Sequence, residues 1–142
     1  MKLLTANYIL PISSTPIHYG AVAIDKDQIL AVGTTDWMRR EFPLAEVEDF
    51  GEAAILPGFV NCHSHLEITS MRGALDDVEH DFSAWLLKLN GLRADLTDDA
   101  ICDAAVAGAH EGAQAGVTCF GDIGRMGHAG LAALKRVGLR GI

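Results

Sequence analysis

Basic residues are scarce in this sequence. Eleven Lys and Arg stand against nineteen Asp and Glu, for a formal net charge of −8 and a pI near 5.0. The clustered positive charge that a nucleic-acid backbone or an anionic membrane surface requires is missing, so neither is expected as a partner. Cysteine is equally thin, with three residues at 62, 102 and 119 and no Cys-x-x-Cys pair. An odd count at wide spacing fits reduced thiols better than a disulfide framework, and the three are read as small buried hydrophobes. No run of the roughly 18–20 apolar residues needed for a membrane span occurs. Met1-Lys2-Leu3-Leu4-Thr5 leads into polar residues and Pro11 instead of a signal-peptide core. The expected compartment is the cytoplasm. Internal repeats and low-complexity linkers are also absent. What is present is apolar: 49% of the 142 residues are hydrophobic and 21% charged, the composition of a globular chain that buries a core.

The stretch richest in chemistry is Leu56-Pro57-Gly58-Phe59-Val60-Asn61-Cys62-His63-Ser64-His65-Leu66-Glu67. Phe59 and Val60 carry β-propensity, and the pattern predicts a buried strand that starts after the Pro-Gly corner. Side chains alternate along a strand, which puts His63 and His65 on one face and Cys62 and Ser64 on the other. At about 3.3 Å of rise per residue the two α-carbons lie about 6.6 Å apart. Two rings can span that distance around one ion at about 2.0–2.1 Å per Zn–N bond. The pair makes half of a metal site, since a catalytic zinc usually has three protein ligands and a position for water.

Upstream, residues 1–56 read as a small β domain. Leu3–Leu10, Ala21–Ile24 and Gln28–Val32 are candidate strands, the last two joined through Asp25-Lys26-Asp27 as a tight hairpin, with Gly33 closing the third. Thr35–Phe42 predicts a short helix before Pro43, and Val47–Phe50 and Ala54–Leu56 two further strands. Downstream, Ile68–Asp81 predicts a long mixed loop. Glu67 continues the alternation onto the face of the histidines, where it could contact substrate or orient a ligand; a solvated carboxylate is the plain alternative. Arg72 could meet an anionic group of a substrate or tie the loop to Asp76 or Asp77. His80 is expected to be exposed. Ser83 is a candidate cap for a helix over 84–92 whose Trp85, Leu86, Leu89 and Leu92 recur at helical spacing. Thr97 caps a second helix that runs to Ala115 with Asp98 and Asp99 in its first turn, and its Ala and Gly residues permit close approach to a sheet. His110 within it is expected to play no ligand role. Gly116 sits where a left-handed cap is expected. Val117–Phe120 reads as a buried strand, and Asp122 just past it comes near His63 and His65 if the two strands are parallel. His128 follows in a glycine-rich loop as a weak candidate for substrate contact. Residues 129–137 predict another helix, and 139–142 the start of a third strand.

Pro57-Gly58-Phe59-Val60-Asn61-Cys62-His63-Ser64-His65-Leu66 resembles the first barrel strand of the amidohydrolase superfamily, whose P-G-hydrophobic-hydrophobic-[DN]-x-H-x-H string supplies two metal ligands. Met71-Arg72-Gly73, Phe82 with Trp85-Leu86, and Gly116-Val117-Thr118-Cys119-Phe120-Gly121-Asp122 resemble motifs of its deaminase and chlorohydrolase branch. The details most resemble aminodeoxyfutalosine deaminase-like proteins. The resemblance implies a β plus α/β fold: a composite β-sandwich domain over 1–56, followed over 57–142 by the first two βα units of an incomplete (β/α)8 TIM barrel. It implies His63 and His65 as metal ligands and places the Trp85 helix under the active-site loop, although Trp85 itself reads first as core; Glu67, Arg72, Trp85 and Asp122 are the candidate substrate-binding residues, with a structural role in the following turn the alternative for Asp122. Asn61, an amide where the two-metal branch carries an acid, implies one divalent ion: zinc, with iron or manganese as alternatives. The implied activity is hydrolytic deamination of an exocyclic amine on a purine-like N-heterocycle, an aminodeoxyfutalosine-like nucleoside among them, with a small-molecule substrate as partner and a homodimer allowed. Hydrolysis of a cyclic amide or a carbon–halogen bond is the alternative within the superfamily, and a non-catalytic product the alternative outside it. A full barrel takes about 250 residues. On that expectation two further histidines, an aspartate and the proton-transfer groups lie outside this chain, which alone would be inactive.

Overall fold

The short apolar runs of the first third of the chain assemble into one five-stranded mixed sheet. A computed structural model describing Met1–Ile142 divides the chain into two units, Met1–Pro57 and Gly58–Ile142. In the first unit, β1 (Lys2–Ile9), β2 (Ile17–Asp25) and β3 (Gln28–Thr34) form an antiparallel meander, while β4 (Glu46–Asp49) and β5 (Ala54–Ile55) add parallel to β1. The two-residue turn between β2 and β3 has Lys26 at φ 55°, the positive torsion that a tight hairpin twisted like its strands demands. Two boundaries differ from the pattern reading. β2 starts at Ile17, because Ile17, His18 and Gly20 pair with Ile9, Tyr8 and Ala6 although they lack an apolar alternation. Gly33 does not end β3, since it pairs with Ala21 and the strand runs on to Thr34. Helix α1 (Thr35–Glu41) places Met38, with no exposed surface, against Leu3, Ala21 and Ala23; Ala6, Ile9 and Val22 form a second cluster.

In the second unit three parallel strands, β6 (Phe59–Ser64), β7 (Val117–Asp122) and β8 (Arg140–Gly141), lie in that order with β7 central. Helices α2 (Phe82–Ala94), α3 (Asp98–Gln114) and α4 (Gly127–Val137) connect them. The core joins Leu66, Ile101, Ala105, Ala109, Phe120, Ala133 and Leu134. Each large aliphatic side chain there contributes about 1.5–3 kcal/mol by burial. The small residues of α3 serve close packing as expected: a Cβ at Gly112 would collide with the Phe120 ring. Gly116 takes the left-handed conformation, φ 84°, that ends α3.

Several local expectations are corrected. β6 is not a buried strand, because it is a sheet edge paired only with β7; Phe59 and Val60 are 55% and 62% exposed. The segment over 68–81 is not featureless loop. It carries 3-10 turns at Leu66–Met71 and Asp76–Val78, the first anchored by buried Leu66 and Met71. Asp81, not Ser83, caps α2, its Oδ1 accepting from the amides of Ser83 at 2.9 Å and Ala84 at 3.0 Å. Of the expected apolar stripe on α2, only Leu89 is fully buried; Trp85 and Leu92 are half-buried and Leu86 is exposed. The cysteines are free, as expected, but Cys62 is exposed and Cys102 and Cys119 are only partly covered, Cys102 packing against the core of this unit. No helix is long and apolar enough to cross a membrane.

Candidate metal centre

Parallel pairing of β6 and β7 brings the C-terminal ends of both strands to one edge of the sheet. There the ladder slips: Asn61 pairs with Phe120 but Ser64 with Asp122, so β6 uses one residue more than β7 between the two rungs. Such a bulge re-aims side chains locally. The His63 amide, taken out of regular pairing, donates to Asn61 Oδ1 at 3.1 Å. This is the short Asx-type bond that Asn offers two residues ahead of a backbone donor.

The two imidazoles then converge. His63 Nε2 and His65 Nε2 lie 3.2 Å apart, with the rings edge to face at 79° and centroids 5.1 Å apart. His65 Nδ1 donates to the Ile123 carbonyl at 2.8 Å, which puts its proton on Nδ1 and leaves the Nε2 lone pair directed at His63. Two nitrogens each about 2.0–2.1 Å from one tetrahedral ion are about 3.3 Å apart, so the 3.2 Å spacing of the pair suits a shared metal. Anchoring the far nitrogen of a ligand histidine on a carbonyl is the usual way its ring is oriented. No third His, Cys, Asp or Glu joins these two.

The other expected site residues are placed as follows. Asp122 ends β7 beside the histidines, and its Oδ1 accepts from Ser64 Oγ at 3.0 Å and the Leu66 amide at 2.9 Å. Glu67 does not follow the histidine face, because the strand gives way to a 3-10 turn at Leu66. It is 3% exposed, ion-paired through Oε1 with Arg93 at 2.8 Å, and accepts through Oε2 from the Met126 amide at 2.7 Å. It lines a cavity of about 340 Å³ together with Arg93, Arg125 and Asn90. Arg72 pairs with Glu111 at 2.7 Å, not with Asp76 or Asp77; Asp77 takes Lys88 instead. That hydrogen bond, reinforced by the opposite charges, raises the Arg72 pKa and lowers that of Glu111. Arg72 and His65 share the lining of an open cavity of about 380 Å³. Trp85 stacks on Phe82 at a 14° interplanar angle and lines neither concavity at His65. His80, His110 and His128 are exposed.

Sequence reasoning missed Ile123, Ser64 and Arg93. A backbone carbonyl acceptor leaves no side-chain signal. Asn61 was legible as a short polar residue two positions before His63, the offset at which Asn bonds to backbone.

The model described as "Amidohydrolase family" matches residues 54–141, more than half of the chain. A 5-methylthioadenosine/S-adenosylhomocysteine deaminase of Nitratidesulfovibrio vulgaris is 35% identical over 127 residues, covering 89% of this chain and 28% of that protein. Among solved structures, the aminofutalosine deaminase of Helicobacter pylori in complex with methylthio-coformycin superposes with a TM-score of 0.77 at 20% identity, covering 99% of this chain and 34% of that one. An atrazine chlorohydrolase of Arthrobacter aurescens complexed with zinc gives 0.79 at 22% identity, again over 99% of this chain and 34% of that one. The chain thus spans about a third or less of the length of the proteins it matches. A matching strand, a converged histidine pair and a family match over most of the second unit lead to one conclusion: the chain belongs to the amidohydrolase family.

Proposed function

We propose that this chain supplies the first two ligands of a one-metal hydrolytic deaminase acting on the exocyclic amine of a purine-like nucleoside. The observation that carries the reading is the 3.2 Å convergence of His63 Nε2 and His65 Nε2, with His65 held in the ligand tautomer by Ile123. A divalent ion, zinc by this reading, would supply Lewis acidity that lowers the pKa of a bound water towards neutrality. His63 and His65 hold that ion through their Nε2 atoms. Asn61 steadies the backbone at His63, and an amide there suits one ion. Arg72, on the same concavity as His65, is assigned to substrate positioning. Trp85, stacked on Phe82 and outside both concavities at His65, is given no substrate contact, while Glu67 and Asp122 act through the backbone segments they hold.

The second unit is read as the opening two βα units of a (β/α)8 barrel and the first as part of a composite β-sandwich, in line with the folds it superposes on. The substrate class follows the 35%-identical relative, whose name gives 5′-modified adenosines; an aminodeoxyfutalosine-type nucleoside has the same kind of amine. A small-molecule partner, a cytoplasmic compartment, a homodimer and no part for nucleic acid or membrane complete the proposal. The test is ammonia release from 5′-methylthioadenosine, S-adenosylhomocysteine and aminodeoxyfutalosine by zinc-loaded protein in which this chain is joined to the rest of the barrel, with His63→Ala and His65→Ala as controls. Both substitutions should abolish bound metal and turnover. Turnover retained by either, or halide release from a chloro-triazine without any ammonia release, would overturn the deaminase reading.

A further inference from the structure

His65 lies one residue beyond the end of β6, where its own strand no longer orients it. Its ring is nonetheless fixed, and the fixing groups come from the last residue of β7 and the residue that follows it. Ile123 accepts from Nδ1 at 2.8 Å, and the Ile123 amide donates back to the Ser64 carbonyl at 2.7 Å. Asp122 Oδ1 holds the residues on both sides of His65, taking the Ser64 hydroxyl at 3.0 Å and the Leu66 amide at 2.9 Å. The other oxygen of the same carboxylate is packed against Gly130 of α4, where an added Cβ would collide with it. One side chain thus braces residue 64, residue 66 and the start of the following helix.

We propose that Asp122 is a positioning residue for His65: its Oδ1 grips Ser64 and Leu66 so that the ring meets the Ile123 carbonyl and offers Nε2 towards His63 before any metal arrives. This rests on the reading of His65 as a ligand, but the preset ring exists without metal. The role is geometric, since it needs one acceptor oxygen at the Oδ1 position. An asparagine keeps that oxygen; an alanine does not.

The experiment has two arms on the purified protein. In the metal-free state, ¹⁵N and ¹³C NMR of the imidazoles reads the His65 tautomer, assigned by its loss in His65→Ala. In the second arm, zinc affinity is measured by competition with a chromophoric chelator. Asp122→Ala should turn the single Nδ1–H signature of His65 into a mixture and weaken zinc binding by about 10–100-fold, the usual effect of removing a group that orients a ligand. Asp122→Asn should keep the wild-type tautomer and bind zinc within about threefold of wild type by the same reasoning. If Asp122→Ala leaves the tautomer unchanged, or Asp122→Asn loses as much as Asp122→Ala, the positioning role is wrong. Should Asp122→Ala fail to fold, Gly130→Ala serves in its place. It pushes on the same carboxylate from α4 and must produce the same tautomer mixture, and an unchanged tautomer there overturns the role equally. The ligand reading fails separately, if His65→Ala binds zinc as tightly as wild type, and that outcome leaves the tautomer arm able to decide the positioning role.

Discussion

Replacing Glu67 by alanine should destabilise the second unit by about 3 kcal/mol, at the lower end of the range for breaking a buried ion pair. The Glu67 side chain is 4% exposed and faces Arg93, which is 19% exposed. Removing the carboxylate strands a guanidinium whose Nε already has no partner. It also removes the acceptor of the Met126 amide. The residual exposure of Arg93 lets its head group move towards water, which is why the lower end applies. Glu67→Gln keeps an acceptor for Met126 and loses only the charge assistance, costing about 1–1.5 kcal/mol, the difference between charged and neutral hydrogen bonds. The double variant Glu67→Leu/Arg93→Met removes both charges and should lie within about 1 kcal/mol of wild type, because a well-packed apolar pair often replaces a buried ion pair at no loss. Urea denaturation reports this unit selectively. The chain has two tryptophans, Trp37 in the first unit and Trp85 in the second, so a Trp37→Phe background leaves fluorescence from Trp85 alone. If Glu67→Ala shifts the midpoint by less than about 1 kcal/mol at unchanged slope, or the double variant is as unstable as the single variants summed, Glu67 does not work as an internal staple.

Other outcomes follow from the same packing and hydrogen bonds. Gly112→Ala should cost about 1–3 kcal/mol by overpacking, since its new methyl meets the Phe120 ring, and denaturation in the same Trp85 background checks it. Arg72→Ala should leave the denaturation midpoint unchanged, because its bond to Glu111 lies on the solvent-exposed surface, yet raise KM for the nucleoside if Arg72 positions substrate. An unchanged KM would remove Arg72 from the site. Asp49 accepts from the Gly51 amide at 3.0 Å and from Thr5 Oγ1 at 2.9 Å, and these bonds, with Arg39 nearby, hold its pKa below the ordinary 3.8. The folded state binds this proton less readily than the unfolded chain. The stabilisation is therefore complete above about pH 3.8 and disappears as pH falls through the lowered value. Trp37 fluorescence should show acid unfolding of the first unit to be steeper in wild type than in Asp49→Asn.

How much of this was legible varies by residue. The strand–helix alternation of the second unit, the Thr97 cap with Asp98 and Asp99, and the left-handed Gly116 were all readable, because each depends on local chemistry within a few residues. β6 was misjudged as buried because apolar runs do not say which strand ends up at an edge; Phe59 and Val60 look the same in either place. Asp81 was passed over for Ser83, although Asp caps as well as Ser, since the start of the apolar spacing was set two residues late. Glu67 was assigned by extending strand alternation past the point where the strand stops. Its partner Arg93 lies 26 positions away on another helix, a distance over which sequence pattern carries no pairing information.

The 3-10 turn at Leu66 links these errors to the site itself. A strand that continued through Glu67 would orient both histidines by its own pleat and leave Glu67 beside them. Here β6 ends at Ser64, Leu66 drops into the core at 4% exposure, and Glu67 is drawn to Arg93 and Met126. His65 is left on a corner whose geometry depends on what surrounds it. The groups that set that corner are the Asp122 carboxylate at the end of β7 and the carbonyl of Ile123, the residue that follows it. A histidine pair at the end of one strand is thus made into a ligand pair by a strand more than 50 residues away, so the site can form only after β7 has docked parallel to β6. Metal binding should then follow folding of the β6–β7 ladder. In a refolding experiment with zinc present from the start, burial of Phe120 and protection of the β7 amides should precede the zinc-dependent histidine signals. Histidine signals that respond to zinc before β7 is protected would show that the pair is preformed within its own segment.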